Sequence, residues 1–386
     1  MDVLLTAIGL AFFLVTLPGT VELFLLTFPG LLPARKSNLA EAGDTSITVV
    51  IPAHNEEQGI ADTLQSLLAC DHPLPAEQLH VIADNCTDAT AEIARSLGCT
   101  VLTRVNDELR GKGYALNFAF SQLLDQGYDG LIVVDADTRV EPNFLDCYRR
   151  LFARGADAGQ SGYRVANPEA GLRPRLMHIA FLAFNYLRPM SRRNLGFSCG
   201  ILGNGFGLSA DTLRDIPYDS FSIVEDLEYH TRLVRAGRKV TFLPETCVWS
   251  DMPVTSQEAQ SQRERWEGGR FRMVMDQVPR LASDVLKGQF RQLEPLLELL
   301  LMPLTFHILL LLFLLILGKG WLMGYALIAL VLVVLHVVLA MVAGKASLAD
   351  WKALLTAPFY MLWKVVNLSK IVNAAKKSTG WKRTSR

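Results

Sequence analysis

The chain has 386 residues, half of them hydrophobic, with 38 basic and 38 acidic side chains and no formal net charge. That length holds one large domain or two modest ones, and a neutral total lacks the basic footprint of a nucleic-acid binder. Six scattered cysteines (Cys70, Cys86, Cys99, Cys147, Cys199 and Cys247) form no Cys-x-x-Cys pair and no zinc-type spacing, so they read as reduced thiols of a cytosol-facing protein.

The chain opens with an apolar run from Val3 to Leu32, longer than the roughly 20 residues that a spanning helix needs. No basic segment precedes it and no Ala-x-Ala site closes a short apolar core, which argues against a cleaved signal peptide. Residues 1–33 are therefore expected to be a membrane helix. Arg35 and Lys36 follow at once, and the positive-inside rule puts the next domain in the cytoplasm. Glu22, inside the run, is expected to snorkel or to pair near the membrane face.

Residues 37–275 alternate between strand and helix patterns. Ile47–Pro52 reads as a strand, followed by a helix near Gln58–Ala69. Leu79–Ala83 is a second strand, and Asp88 is a plausible N-cap of the next helix. Thr100–Leu102 is a third strand, and a helix near Tyr114–Leu124 leads to Leu131–Val134, a fourth. Such alternation predicts an α/β domain with a mainly parallel, doubly wound sheet.

In such sheets, ligands bind beyond the carboxyl ends of the strands. The first strand ends in Pro52-Ala53-His54-Asn55-Glu56, the second in Asp84, and the fourth in Asp135-Ala136-Asp137. Taken singly, each has an ordinary explanation: a helix cap for Asn55 and Glu56, a solvated acidic loop for Asp135 and Asp137. Their convergence on one rim points to a nucleotide–metal site, because two carboxylates can hold a hard dication that also takes substrate phosphates. Gly111-Lys112-Gly113 sets a lysine at a helix start, where it can neutralise phosphate. It is not a Walker loop.

Further on, Gly203-Asn204-Gly205-Phe206-Gly207 reads as a flexible loop, either a close substrate approach or a structural turn. Glu225, Asp226 and Glu228 open a helix; a carboxylate there could be a general base or could simply favour the helix dipole. Gln262, Arg265 and Trp266 share one helix face, suited to phosphate and sugar or to a domain–membrane boundary.

From Pro295 the chain becomes apolar again. Leu296–Leu317 and Trp321–Val342, linked by Gly318-Lys319-Gly320, predict a membrane hairpin within residues 295–344. Leu281, Val285, Leu286, Phe290 and Leu293, interleaved with basic residues, predict an interfacial amphipathic helix over 276–294. Residues 353–386 hold an interrupted apolar run, Leu354–Val372, and a basic tail; the run is a weak span or an interfacial helix, so three and four spans both stand.

In their order and spacing, Val50-Ile51-Pro52-Ala53-His54-Asn55-Glu56, Asp84-Asn85-Cys86-Thr87-Asp88, Gly111-Lys112-Gly113, Asp135-Ala136-Asp137, Glu225-Asp226 and Gln262-Arg263-Glu264-Arg265-Trp266 resemble the membrane-integrated branch of glycosyltransferase family 2. The resemblance covers roughly residues 45–270. It implies a GT-A fold and a nucleotide-diphosphate sugar donor, most often UDP-linked. It gives Pro52, Asn55, Glu56, Asp84, Lys112 and Asp135 to the donor, and Asp135 and Asp137 to Mg2+ or Mn2+. It makes Asp226 the catalytic base, and gives Gln262, Arg265 and Trp266 to the acceptor end and diphosphate. The implied partners are a glycan or lipid-linked acceptor and membrane lipids. The chain carries Ala83-Asp84 where many relatives have two acids. Two other readings stand beside a polymer-building enzyme: a single-sugar transferase acting on a lipid, and a membrane component that binds nucleotide without catalysis.

Overall fold

A computed structural model describes residues 2–33 and 43–359. Arg35, Lys36, most of Leu354–Val372 and the basic tail lie outside the described residues.

In chain order the elements are α1 (Asp2–Thr27), β1 (Ile47–Ala53), α2 (Ile60–Leu68), β2 (Leu79–Asp84), α3 (Thr90–Ser96), β3 (Thr100–Arg104), α4 (Lys112–Leu123), β4 (Gly130–Val133), β5 (Thr138–Val140), α5 (Phe144–Phe152) and β6 (Ala158–Val165). Then come α6 (Leu172–Phe181), a π-helical turn (Leu182–Leu187), α7 (Arg188–Leu195), β7 (Phe206–Ser209), α8 (Ala210–Asp215), α9 (Glu225–Arg235), β8 (Val240–Ser250) and α10 (Ser256–Leu286). The last among the described residues are α11 (Leu293–Leu300), α12 (Leu304–Leu317), α13 (Trp321–Ala343) and α14 (Leu348–Leu354).

The sheet order is β3-β2-β1-β4-β7-β6-β8-β5. Strands β1 to β4 are mutually parallel, as their alternation with helices requires. Beyond β4 the sheet is mixed, yet β6 and β8 run parallel to each other and in the direction of β4, so it stays mainly parallel as expected. β7 runs antiparallel to both β4 and β6, and β5 runs antiparallel to β8. The cause is local: the Gly203–Gly205 turn delivers the chain to the carboxyl rim, so β7 starts where β4 ends. The expected loop 203–207 is thus a loop only to Gly205, and Phe206 and Gly207 are strand.

Both faces of the sheet are covered, which is why β1 is apolar at nearly every position. Val49 and Ile51 pack with Ile60, Leu64 and Phe144 on one side, while Val50 packs with Leu116, Phe120 and Phe206 on the other. α3 starts just after Asp88, whose carboxylate accepts the Thr90 N–H at 3.0 Å and so caps the helix from outside. β3 runs two residues beyond its expected end, which sets Arg104 opposite Asp84.

Among the described residues two helices are long and apolar enough to cross a membrane, Leu4–Leu31 and Trp321–Ala343, or three spans if a bent pair is counted as one. The expected continuous helix Leu296–Leu317 is that bent pair: it breaks at Leu301-Met302-Pro303 and turns by 81°. Pro303 has no N–H and keeps Met302 out of the helical region. Leu23 of α1, Leu311 of α12 and Ala329, Leu332 and Val333 of α13 share one apolar cluster. Residues 276–294 do not form a separate helix. α10 runs through their first part and buries Leu281 against Met273, Leu296 and Leu299, while Leu286 and Phe290 stay exposed.

Glu22 pairs rather than snorkels. It meets Arg188 and, at 2.8 Å, Arg192, both on α7. Arg192 also reaches Glu294 and Glu298 of α11, and Arg270 of α10 donates to the backbone carbonyls of Glu298 and, at 3.0 Å, Leu301. A buried network of three carboxylates and three guanidiniums thereby ties α1 and α11 to the sheet domain.

Candidate active site

Because β1, β2 and β4 are parallel, Asn55, Asp84 and Asp135 emerge on the same rim, and the antiparallel β7 brings its leading turn, Gly203-Asn204-Gly205, to that rim as well. Gly205 has φ +63°, and a Cβ there would lie 2.5 Å from the Ser161 hydroxyl and 2.7 Å from Val248, so the turn closes on the sheet only with glycine. Its carbonyl accepts from the Tyr148 hydroxyl (2.6 Å) and the Ser161 hydroxyl (2.8 Å). The side chain of Gln160 bridges the turn, accepting the Leu202 N–H at 2.8 Å and donating to the Asn204 carbonyl at 2.8 Å.

The turn in turn braces the acidic loop. Asn204 is buried, and its side-chain oxygen accepts the Asp135 N–H at 3.0 Å. Its amide donates to the hydroxyls of Thr138 (2.8 Å) and Ser250 (3.2 Å). The Asp135-Ala136-Asp137 step is therefore held at both ends by one side chain. Tyr163 lies close enough to both acids that, after burial, their charge is what pushes its phenol upward.

Lys112 sits in the middle. Its ammonium bonds a carboxylate oxygen of Asp135 and the carbonyl of Gly203. Asp226, on the first turn of α9, lies across the same turn: a Cβ on Gly203 would be 3.0 Å from its Oδ2. Burial raises the Asp226 carboxyl above its usual range, against the pull of the Leu227 N–H and Lys112. Burial and then Asp226 raise the adjacent Glu225 further, to about 8. Lys112 stays protonated because Asp135 and Glu225 outweigh its desolvation.

Asp84 faces Arg104 in a buried ion pair at 2.6 Å and accepts from the Asn85 amide at 3.1 Å. Asn55 (φ +58°) is held by the Thr87 N–H, which donates to its side-chain oxygen at 2.7 Å. The Glu56 N–H donates to the Thr90 hydroxyl at 2.8 Å, and Pro52 stands opposite Ile82 within the sheet. Arg104 lies 5.9 Å over Tyr114, which stacks on Phe221 with centroids 4.2 Å apart.

Gln262, Arg265 and Trp266 fall on α10, but their side chains lie outside the described residues. The loop leading to that helix is fixed by Asn167, which accepts the Met252 N–H at 2.8 Å and donates to its carbonyl at 3.0 Å.

Among the described residues no group of three His, Cys, Asp or Glu side chains converges tightly enough to enclose a metal ion. Asp135 and Asp137 nonetheless suit Mg2+ or Mn2+, because such ions commonly take one or two carboxylates and complete their shell with water and substrate phosphates. Sequence reasoning overlooked Asn204 as a brace, Glu225 as a second buried acid, and Arg104, Gln160 and Tyr163 altogether. Asn204, a polar residue between two glycines, and Glu225, beside Asp226 at a helix start, carried a signal.

Residues 44–269 match the family model described as "Glycosyltransferase like family 2". The chain belongs to that family. A probable glycosyltransferase, YdaM of Bacillus subtilis (strain 168), is 26% identical over 263 residues, which is 65% of this chain and 60% of that protein. Poly-beta-1,6-N-acetyl-D-glucosamine synthase of Staphylococcus epidermidis (strain ATCC 35984) is 25% identical over 251 residues, 62% of this chain and 58% of the synthase. The chain thus matches less than two thirds of either relative. A solved structure, the mannosyltransferase PcManGT from Pyrobaculum calidifontis in complex with GDP-Man and Mn2+, superposes over 96% of this chain and 97% of its own, with TM-score 0.55 and 17% identity. At that identity the likeness is one of fold, and the fold of this family 2 member is GT-A.

Proposed function

We propose that the protein is a membrane-bound inverting glycosyltransferase. In this reading it moves a sugar from a nucleotide-diphosphate sugar, UDP-linked by the family resemblance, to a polysaccharide or carrier-linked glycan. The observation that carries the reading is the meeting of Asp135, Lys112, Gly203 and Asp226 around one turn at the carboxyl rim. A binding module needs no buried carboxylate opposite its phosphate cation; a transferase does.

Pro52, Asn55, Glu56 and Asp84 line the nucleotide end. Asp135 and Asp137 hold Mg2+ or Mn2+, which supplies charge neutralisation on the departing diphosphate. Lys112 adds a cation at the same place. Asp226 accepts the proton of the acceptor hydroxyl. Attack from the side opposite the leaving group inverts the anomeric centre, so an α-linked donor yields a β-linkage. Burial and then the Asp226 charge hold the Glu225 carboxyl up at about 8, which makes Glu225 a poor proton acceptor at neutral pH. Gln262, Arg265 and Trp266 receive the acceptor end and the diphosphate. The sheet domain faces the cytoplasm, as Arg35 and Lys36 direct, and exposed Leu286 and Phe290 suit the lipid interface.

A second reading, transfer of one sugar to a lipid acceptor, is favoured by the membrane helices themselves. The space between α1, α12 and α13 is filled by side chains, among them Tyr325, whose hydroxyl bonds Thr16 at 3.0 Å and Thr20 at 2.9 Å. Purified protein incubated with a panel of nucleotide sugars and membrane lipids, with products sized by mass spectrometry, separates the two. A ladder of sugars means polymer synthesis and one added sugar means glycolipid formation. No transfer from any donor would overturn both.

A further inference from the structure

Arg164, one residue from the end of β6, has surroundings unlike those of the other arginines near the site. Arg104 is paired with Asp84, Arg175 with Asp350 and Arg192 with Glu22. The guanidinium of Arg164 lies instead over the ring of Tyr186 at 5.2 Å and over that of Trp249 at 5.8 Å. Trp249 stands opposite it on β8, and its indole N–H donates to Glu141 at 2.7 Å, which fixes the ring. Tyr186 comes from the π-helical turn Leu182–Leu187, a rare element often found at functional sites. Aromatic contacts use the flat faces of a guanidinium and leave its five in-plane N–H donors free. Among the described residues those donors find no hydrogen-bond acceptor and no carboxylate. The side chain is half-buried and so open to a ligand.

Its position gives that spare fork a purpose. The ring of Tyr163, the preceding residue of β6, meets Phe181 of α6 at 5.1 Å. The turn that carries Tyr186 also packs Leu182, Ala183 and Leu187 onto Ala340 and Met341 of α13. β6 runs in the direction of β4, and Trp249 pairs with Arg164 on one side and with Arg139, two residues after Asp137, on the other, so Arg164 ends at the carboxyl rim beside a turn that packs on a membrane helix. A planar fork with fixed orientation matches the paired oxygens of a phosphate.

We propose that Arg164, clasped between Tyr186 and Trp249, is a subsite for a phosphate group carried by the acceptor. It rests on the glycosyl-transfer reading above. The phosphate belongs either to a lipid headgroup or to a soluble phosphorylated acceptor.

The full-length protein in detergent is titrated with two phosphomonoesters, short-chain phosphatidic acid and glycerol 3-phosphate, and separately with UDP plus Mn2+, using calorimetry. At least one phosphomonoester is expected to bind. Arg164→Gln should weaken that binding about tenfold or more, as loss of a charge-assisted bidentate contact does. Arg164→Lys, which keeps the charge and loses the fork, should recover part of it. UDP affinity should change less than twofold in both variants, which also shows that they fold. If Arg164→Gln does not fold, the Lys variant decides, with an expected loss of about threefold or more. Preference for phosphatidic acid assigns a lipid acceptor, and preference for glycerol 3-phosphate assigns a soluble one. Wild-type protein that binds neither, or variants that bind as tightly as wild type, would overturn the subsite. Failure of wild type to bind UDP would instead count against the glycosyl-transfer reading, and the phosphate titrations would still judge Arg164.

Discussion

The side-chain oxygen of Asn204 accepts the backbone N–H of Asp135 at 3.0 Å, so a residue on the turn before β7 sets where the acidic loop after β4 stands. The same amide donates to Thr138 and Ser250. Asn204→Ala leaves buried partners unsatisfied, at a cost of about 1–3 kcal/mol. It also frees Asp135 to drift from Asp137. The expected result is a lower melting temperature and about tenfold weaker Mn2+ binding in the presence of UDP. Wild-type Mn2+ affinity in the alanine variant would show that Asn204 does not position the acids.

Asp226 supplies the proposed base. Asp226→Asn should abolish transfer and leave donor binding within about twofold, because the amide cannot take a proton yet fills the same space. Substantial transfer by the asparagine variant would move the base elsewhere.

Gly203 separates Asp226 from Lys112. Its φ is +79°, and a Cβ would stand 3.0 Å from the Asp226 carboxylate. Gly203→Ala should cost only about 1 kcal/mol of stability from its left-handed backbone. Activity should fall much further, because the methyl presses on the base. Parallel losses in melting temperature and rate, or no loss of rate, would refute this.

Glu225 makes stability pH-dependent. Its carboxyl titrates near 8 in the folded protein, chiefly through burial and then through Asp226, against about 4.3 in an unfolded chain. A raised carboxyl binds its proton more tightly when folded. Its contribution is thus full below about pH 4, declines as the unfolded chain ionises, and is gone above about pH 8. Melting temperature should fall from pH 6 to 9 in wild type, and Glu225→Gln, which mimics the protonated form, should flatten that fall. An equally steep slope in the variant would assign it to other groups.

The rim was readable from the sequence because parallel strands put their carboxyl ends together, so Asn55, Asp84 and Asp135 had to share an edge once the β/α alternation was recognised. The second half of the sheet was not. β7 has four residues and β5 three, too short for a period of two to register, and their antiparallel direction follows from turns rather than from pattern. Arg104 escaped notice because the strand pattern fades after Leu102, although the ladder with β2 continues to Asp84. The break at Leu301-Met302-Pro303 was hidden by the apolar residues on both sides of it, yet Pro303 was the residue to weigh. Glu22 could be read as a paired acid, but its partners lie more than 160 residues away in sequence.

Glu22 balances Arg188 and Arg192 inside a buried network, so removing it strands the Arg188 guanidinium and leaves Arg192 to Glu294 and Glu298 alone. Breaking a buried pair from one side costs about 3–5 kcal/mol, whereas replacing the charged groups together with apolar ones of similar volume can be nearly neutral. Glu22→Ala should therefore lower the melting temperature in detergent strongly. Glu22→Leu combined with Arg188→Met, which leaves Arg192 its pairs with Glu294 and Glu298, should recover much of the loss if the network serves stability alone. If stability returns and transfer does not, the charges also set how α1 and α11 hold the sheet domain at the membrane. Wild-type stability in Glu22→Ala would show that these pairs contribute little to either.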